Sequence, residues 1–344
     1  MELQHDSTGG SAGGTGNTAV TRGVSCIVKL GGAAITCKNE LETINEENLK
    51  IVASQLRQAM IFGPCHGMDW SRRPGSSDIP NVVDNFDDQV EVESKKFVVV
   101  HGAAPHILAS GSFGHFQASK SGVHKGGLTR PIVKSGFVAT RISVTSLNLE
   151  IVRALAKEGI PSIGLSPFSC GWSTCEKNLT VADASTVGGA IDAGFVPVLH
   201  GDAVLDSSLG CTILSGDVII RHLAGQLQPD YVVFLTDVFG VYDRPPTDPE
   251  AVLLREIAVR EDGSWSVVKP KTEDTSKQVE ITVAAHDTTG GMVTKISEAA
   301  MIAKLRIDVY IVKAATEHSL RALQGLSREN IPDDWLGTVI RYAR

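Results

Sequence analysis

No stretch of the 344 residues approaches the roughly 18 consecutive apolar positions that a membrane-spanning helix needs. No CxxC pair or metal-finger spacing joins the six cysteines, Cys26, Cys37, Cys65, Cys170, Cys175 and Cys211, which are expected to be reduced thiols. An excess of positive charge is missing too. Lysine and arginine number 32 against 39 acidic residues, a formal net charge of −7, which excludes a general grip on nucleic acid or anionic membrane and makes any positive site local. The phosphate-binding loop GxxxxGK[ST] is also absent. Residues 1–23 lack an apolar core, and Arg22 is their first arginine, so they fit neither a secretory signal nor an Arg-rich transit peptide. They read as a solvated Gly/Ser/Thr-rich tail, and the expected location is the cytosol.

What is present is a recurrent pattern. Short β-branched runs each end in glycine or a small polar residue: Cys26-Ile27-Val28-Lys29-Leu30 before Gly31-Gly32, Phe97 to Val100 before His101-Gly102, Pro197-Val198-Leu199 before His200-Gly201, and Val232 to Leu235 before Thr236-Asp237. Val309 to Val312 forms a last run. Between them lie segments with apolar residues three and four apart. One carries Leu49, Val52, Leu56 and Ala59 after a capping Asn45; another carries Val144, Leu147, Ile151 and Leu155, closed by Gly159; a third carries Met292, Ile296, Ala299 and Ala303. Near-continuous Val/Ile/Leu strands alternating with helices predict an α/β fold with a largely parallel sheet covered on both faces, a three-layer αβα sandwich. Ligands in such sheets sit beyond the carboxyl ends of the strands, where these turns fall. Residues 63–96, rich in Pro, Gly, Ser and Asp, read as an insertion, and residues 260–282 as a hairpin or flap.

Four motifs carry chemistry. In Lys29-Leu30-Gly31-Gly32-Ala33, paired glycines let backbone amides approach a phosphate while a strand-end lysine supplies charge. In Asp287-Thr288-Thr289-Gly290-Gly291-Met292-Val293-Thr294-Lys295, glycines open a helix whose free N–H groups favour an anion, with a lysine one turn in. A buried strand delivers Thr236 and Asp237 to the crevice, and Ser215-Gly216-Asp217 puts a carboxylate at a helix start. Taken singly, each is equally a tight turn or a helix cap.

Together, in the order KLGG, HGA, SGD, LTDVFGVY and TTGGMVTK, the motifs resemble the amino acid kinase family from residue 24 onwards. The resemblance implies one αβα domain over residues 24–344, with a lobe of about 24–200 that takes the phosphoryl acceptor and a lobe of about 201–344 that takes ATP. It implies that Lys29 and Lys295 hold the transferring phosphoryl from opposite sides while Asp217 orients both. Leu30, Gly31, Gly32, Ala33, Gly111, Asp237 and Gly290 would line the nucleotide site with the two lysines. The implied cofactors are ATP and Mg²⁺, without a metal site built from protein side chains, and the implied assembly is a homodimer with a small-molecule substrate.

Within that family, Gly111-Ser112-Phe113-Gly114-His115 downstream of His101-Gly102-Ala103 looks like the HGAGSFGH element of isopentenyl phosphate kinases, and GVHKGG, SPFSCGWS, HGDAVLD and AAHDTTGGM look like their plant form. This implies that His115 and Ala103 bind the acceptor's phosphate, that Gly201 contacts the acceptor and that Lys38 stabilises the transition state. The expected activity is ATP-dependent phosphorylation of isopentenyl phosphate, supplying an isoprenoid precursor. The alternatives are a fosfomycin-kinase-like enzyme and a catalytically impaired nucleotide-binding homologue. The second arises because residues 104–110 interrupt the HGAGSFGH element, with Pro105 removing one backbone donor. The interruption is expected to lower activity without breaking the fold.

Overall fold

The computed structural model describes residues 23–37, 40–60, 94–102, 113–270, 291–326 and 331–343. In chain order the strands are β1 (Cys26–Leu30), β2 (Phe97–His101), β3 (Ser162–Leu165), β4 (Ser173–Cys175), β5 (Asn178–Val181), β6 (Val196–His200), β7 (Asp202–Asp206) and β8 (Gly210–Leu214). They continue as β9 (Tyr231–Thr236), β10 (Val241–Tyr242), β11 (Leu253–Leu254), β12 (Glu256–Val259), β13 (Trp265–Lys269), β14 (Asp308–Lys313) and β15 (Thr338–Tyr342). The helices are α1 (Gly32–Ile35), α2 (Glu46–Met60), α3 (His115–Ser121), α4 (Pro131–Lys157), α5 (Ser185–Asp192), α6 (Gly216–Leu227), α7 (Gly291–Lys304) and α8 (Glu317–Gln324).

Nine strands form the central sheet in the order β13-β12-β15-β14-β9-β1-β2-β6-β3. From β14 to β3 every pairing is parallel. β1 shows how the sequence dictates the layers. Side chains alternate along a strand, so Ile27 enters the core under α5, α6 and α7, while Cys26, Val28 and Leu30 enter the one under α2, α4 and α8. Each fully buried Ile, Val or Leu is worth about 1.5–3 kcal/mol over its exposed state, which fixes the register of β1 in both directions. Lys29 shares the side of Ile27 and therefore faces α6 and α7.

The helices end where their sequences say. Asn45 Oδ1 accepts the Asn48 amide at 3.0 Å to cap α2. Pro131 opens α4, and Gly159 closes it with φ of 78°. Two features escaped the sequence pattern. β15 runs antiparallel to β14. A separate four-stranded sheet, β5-β4-β7-β8, rises from the loops after β3 and β6. These strands are only three to five residues long and carry Asp, Ser, Thr, Asn or Gly among their apolar residues, so they lack the continuous apolar runs of the central block. The expected hairpin is present in part: β12 and β13 pair antiparallel around Gly263, while residues 271–282 lie outside the described residues. So does residue range 63–93 of the expected insertion, and the N-terminal tail except for Gly23.

Candidate active site

The chain leaves β1 for β2 on one side and returns much later to lay β9 on the other, so the strand order reverses at β1. A crevice opens beyond the carboxyl ends of strands at such a point. Here it is a cavity of about 240 Å³. Gly31, Gly32 and Ala33 follow β1 into it, Gly102 follows β2, Gly201 follows β6, Thr236 ends β9 and Asp237 follows it.

Lys29 lies on its floor. It is 5% exposed, and its Nζ forms a buried ion pair with Asp217 Oδ1. Asp217 is the second residue of α6, whose first turn favours a carboxylate, and Ser215 Oγ caps that turn by accepting the Asp217 amide at 3.2 Å. Burial pushes the Lys29 pKa below its ordinary 10.5; Asp217 opposes the shift and Lys295 adds to it. Lys295, in the first turns of α7, lines the same cavity. Glu298, one turn further on, pairs with Arg221 at 2.6 Å, and burial raises its carboxyl pKa against the pull of that guanidinium. Two lysines from different elements thus converge on one cavity, with the Asp217 carboxylate paired to Lys29.

Small residues make this approach possible. A Cβ on Gly31 would lie 2.7 Å from the Leu235 carbonyl oxygen, which accepts the Gly31 amide at 2.8 Å. A Cβ on Gly102 or on Gly216 would meet Lys29 Cε at 3.6 Å, an ordinary contact, so both glycines flank the stem of the lysine. Gly201 donates its amide to the His101 carbonyl at 3.1 Å and sits against the turn Leu214 to Gly216.

Toward α3 and α4 the wall becomes apolar, with Ala118, Val144 and Ile213 lining it. Asp202 closes this side. It accepts from Ser166 Oγ at 2.7 Å and from Arg141 Nε at 3.3 Å, and Arg141 stacks over Phe168 at 4.1 Å from the ring centre. Beneath it, His101 and His200 stack at 5.5 Å, both buried, and burial lowers the pKa of each below 6.5.

The structure therefore brings Lys29, Gly31, Gly32, Ala33, Gly201, Asp217, Asp237 and Lys295 to one cavity. Leu30 contributes backbone only: its carbonyl accepts the Gly102 amide at 3.1 Å, while its side chain packs in the core under α2. His115 opens α3, but its side chain lies outside the described residues, as do Lys38, Ala103, Gly111 and Gly290. The interruption at 104–110 lies outside them too. Sequence reasoning missed Asp202 and Glu298. Both had a signal: Asp202 is the carboxylate next to a strand-end glycine, and Glu298 stands three residues after Lys295 on one helical face.

Among the described residues no cluster of three His, Cys, Asp or Glu side chains could hold a metal ion. Mg²⁺ takes one or two protein carboxylates and leaves its remaining positions to phosphate and water. The cavity offers such carboxylates in Asp217 and Asp237, which fits an ion carried on a nucleotide's phosphates.

The chain is similar to known proteins over almost its whole length. An isopentenyl phosphate kinase from Arabidopsis thaliana is 70% identical over 330 residues, covering 94% of this chain and 97% of the relative. One from Methanothermobacter thermautotrophicus is 31% identical, covering 87% and 95%. A solved isopentenyl phosphate kinase structure superposes with a TM-score of 0.62 at 28% identity, covering 88% of this chain and 97% of that one. The sequence model of the amino acid kinase family matches residues 25–313, and with the αβα sandwich and the two-lysine cavity described above, the chain belongs to that family.

Proposed function

We propose that this kinase transfers the γ-phosphoryl group of ATP to isopentenyl phosphate, giving isopentenyl diphosphate and ADP. The observation that carries the reading is the 70% identity with the Arabidopsis isopentenyl phosphate kinase across 94% of the chain. The cavity is consistent with it. A phosphate oxygen of the acceptor is already anionic and attacks without a general base, so the protein's work is positioning and charge neutralisation. The P–O bond to the ADP leaving oxygen breaks as the bond to the acceptor oxygen forms. Lys29 and Lys295 neutralise the transferring group, and Asp217 holds Lys29 in place. The apolar wall of Ala118, Val144 and Ile213 suits a short hydrocarbon tail rather than an amino acid.

In this reading residues 24–200 take the acceptor, with Ala103, Gly201 and His115 at its phosphate and Lys38 at the transferring group. Residues 201–344 take the nucleotide, with Asp237, Gly111 and Gly290 beside the β1 turn. Mg²⁺ would enter on the ATP phosphates and screen their charge, with Asp217 and Asp237 as the available carboxylates. No helix among the described residues is long and apolar enough to cross a membrane. The proposal extends to a cytosolic homodimer. A coupled ADP-release assay with isopentenyl phosphate, fosfomycin and N-acetylglutamate tests the substrate. Isopentenyl phosphate should be preferred in kcat/KM by at least about 100-fold, in line with a site whose polar groups match only one acceptor. A preference for either competitor overturns the reading.

A further inference from the structure

The turn joining α1 to α2 is a narrow, well-tied loop. The Cys37 amide donates to the Thr43 carbonyl and the Asn45 amide to the Ile35 carbonyl, both at 2.9 Å, and Thr36 bridges Ile44. Inside it Glu42 adopts φ of 52°, the left-handed region that a glutamate rarely occupies and that persists where surrounding contacts hold it. Its side chain leaves the loop for two other helices. Glu42 Oε1 accepts from Ser143 Oγ on α4 at 2.5 Å and from Gln117 Nε2 on α3 at 2.7 Å. Ser143, 3% exposed, in turn accepts the amide of Gly114 at 2.7 Å.

Gly114 is the residue from which α3 starts. Its φ is 71°, and a Cβ there would lie 2.5 Å from Val144 Cγ1, so the backbone is pressed against α4 at a point only glycine allows. α3 has seven residues, too short to keep a direction of its own. Its ties decide where it points. A serine hydroxyl donates once and accepts twice, so by giving its proton to Glu42 the Ser143 oxygen turns its lone pairs to the Gly114 N–H. Without the carboxylate that hydroxyl is free to rotate.

We propose that Glu42 and Ser143 are positioning residues for the acceptor: the relay Glu42–Ser143–Gly114, with the parallel tie to Gln117, fixes the first turn of α3 and so the backbone that carries His115. The inference rests on the proposed function, which puts the acceptor's phosphate at His115. Both ties reach α3 near its start, and Glu42 is exposed, so its loss should weigh on site geometry far more than on global stability.

The test uses the full chain with Glu42→Ala, Glu42→Gln, Ser143→Ala and the Glu42→Ala/Ser143→Ala double variant. KM for isopentenyl phosphate and for ATP, kcat and Tm are measured for each. Glu42→Ala and Ser143→Ala should raise KM for isopentenyl phosphate about tenfold, the scale of a sub-ångström misplacement, with KM for ATP unchanged within about twofold. Glu42→Gln keeps an accepting Oε1 and should retain most of the wild-type value. The double variant should be no worse than the poorer single one, because both changes cut one relay. If both KM values rise together, if Tm alone falls, or if the two changes add, the relay is structural and the inference is overturned. Should Ser143→Ala fail to fold, Glu42→Ala on the exposed partner carries the same comparison. Absence of turnover of isopentenyl phosphate by the wild type would instead overturn the proposed function.

Discussion

Asp217→Asn isolates the charge that holds Lys29, because it keeps the side chain's shape and removes only its ionisation. Lys29 is 5% exposed and Asp217 7% exposed, so neither can turn to water when its partner is lost. Breaking a buried pair by neutralising one member costs about 3–5 kcal/mol when the other stays charged. The lysine escapes part of that cost by releasing its proton. Its pKa, already lowered by burial and by Lys295, loses the opposing pull of Asp217 and falls further. The consequence for stability has a definite sign. Between the folded-state pKa and the unfolded value of 10.5, the unfolded chain holds a proton that the folded chain has released, so stability rises with pH across that window. In the variant the window extends to lower pH. Thermal unfolding from pH 7 to 10 should therefore show Asp217→Asn destabilised at pH 7 and recovering toward the wild type as pH rises. Turnover moves the other way. A neutral Lys29 no longer neutralises the transferring phosphoryl, so kcat at pH 7 should drop about 100-fold and the alkaline limb of the pH–rate profile should shift to lower pH. Parallel stability curves together with an unmoved alkaline limb would show that Asp217 does not control the charge on Lys29.

Three other perturbations follow from the same geometry. Lys295→Ala should leave Tm close to that of the wild type while cutting kcat by more than about 100-fold, and near-normal turnover in a folded variant would remove it from the catalytic set. Gly31→Ala puts a methyl group 2.7 Å from the Leu235 carbonyl. It should cost about 1–3 kcal/mol in urea unfolding and weaken ATP binding by calorimetry; unchanged values for both would show that the turn yields easily. The buried His101 and His200 hold pKa values below 6.5, so between those values and 6.5 the unfolded chain binds protons that the folded chain refuses. Stability should fall as pH drops below 6.5, by up to about 1.4 kcal/mol per pH unit for each histidine, and His101→Leu should remove one share of that slope.

Much of the site could be read from the sequence because its parts are local. A strand ending in glycines, a helix opened by Ser215-Gly216-Asp217 and a lysine one turn into α7 each reveal their chemistry within ten residues. The parallel block could be read for a similar reason: strands buried on both faces are nearly continuous apolar runs, and the helices between them keep a 3.6-residue period. The small β5-β4-β7-β8 sheet could not, since its strands of three to five residues mix polar with apolar positions amid turns. The ties between Glu42, Ser143 and Gly114 are hidden for another reason. They join residues 29 and 101 positions apart, and only the packing of α3 and of the α1–α2 turn against α4 puts those atoms in reach. Arg141 and Asp202, separated by 61 positions, are a second instance.

The proposed reaction transfers a phosphoryl group onto the phosphate of an isoprenoid monoester, and ³¹P NMR reads that bond directly. Purified protein with ATP, Mg²⁺ and isopentenyl phosphate should convert the monoester resonance into a pair of coupled diphosphate resonances while ADP accumulates in equal amount. ADP formation with the monoester resonance intact, or transfer only when N-acetylglutamate or fosfomycin is supplied, would contradict it.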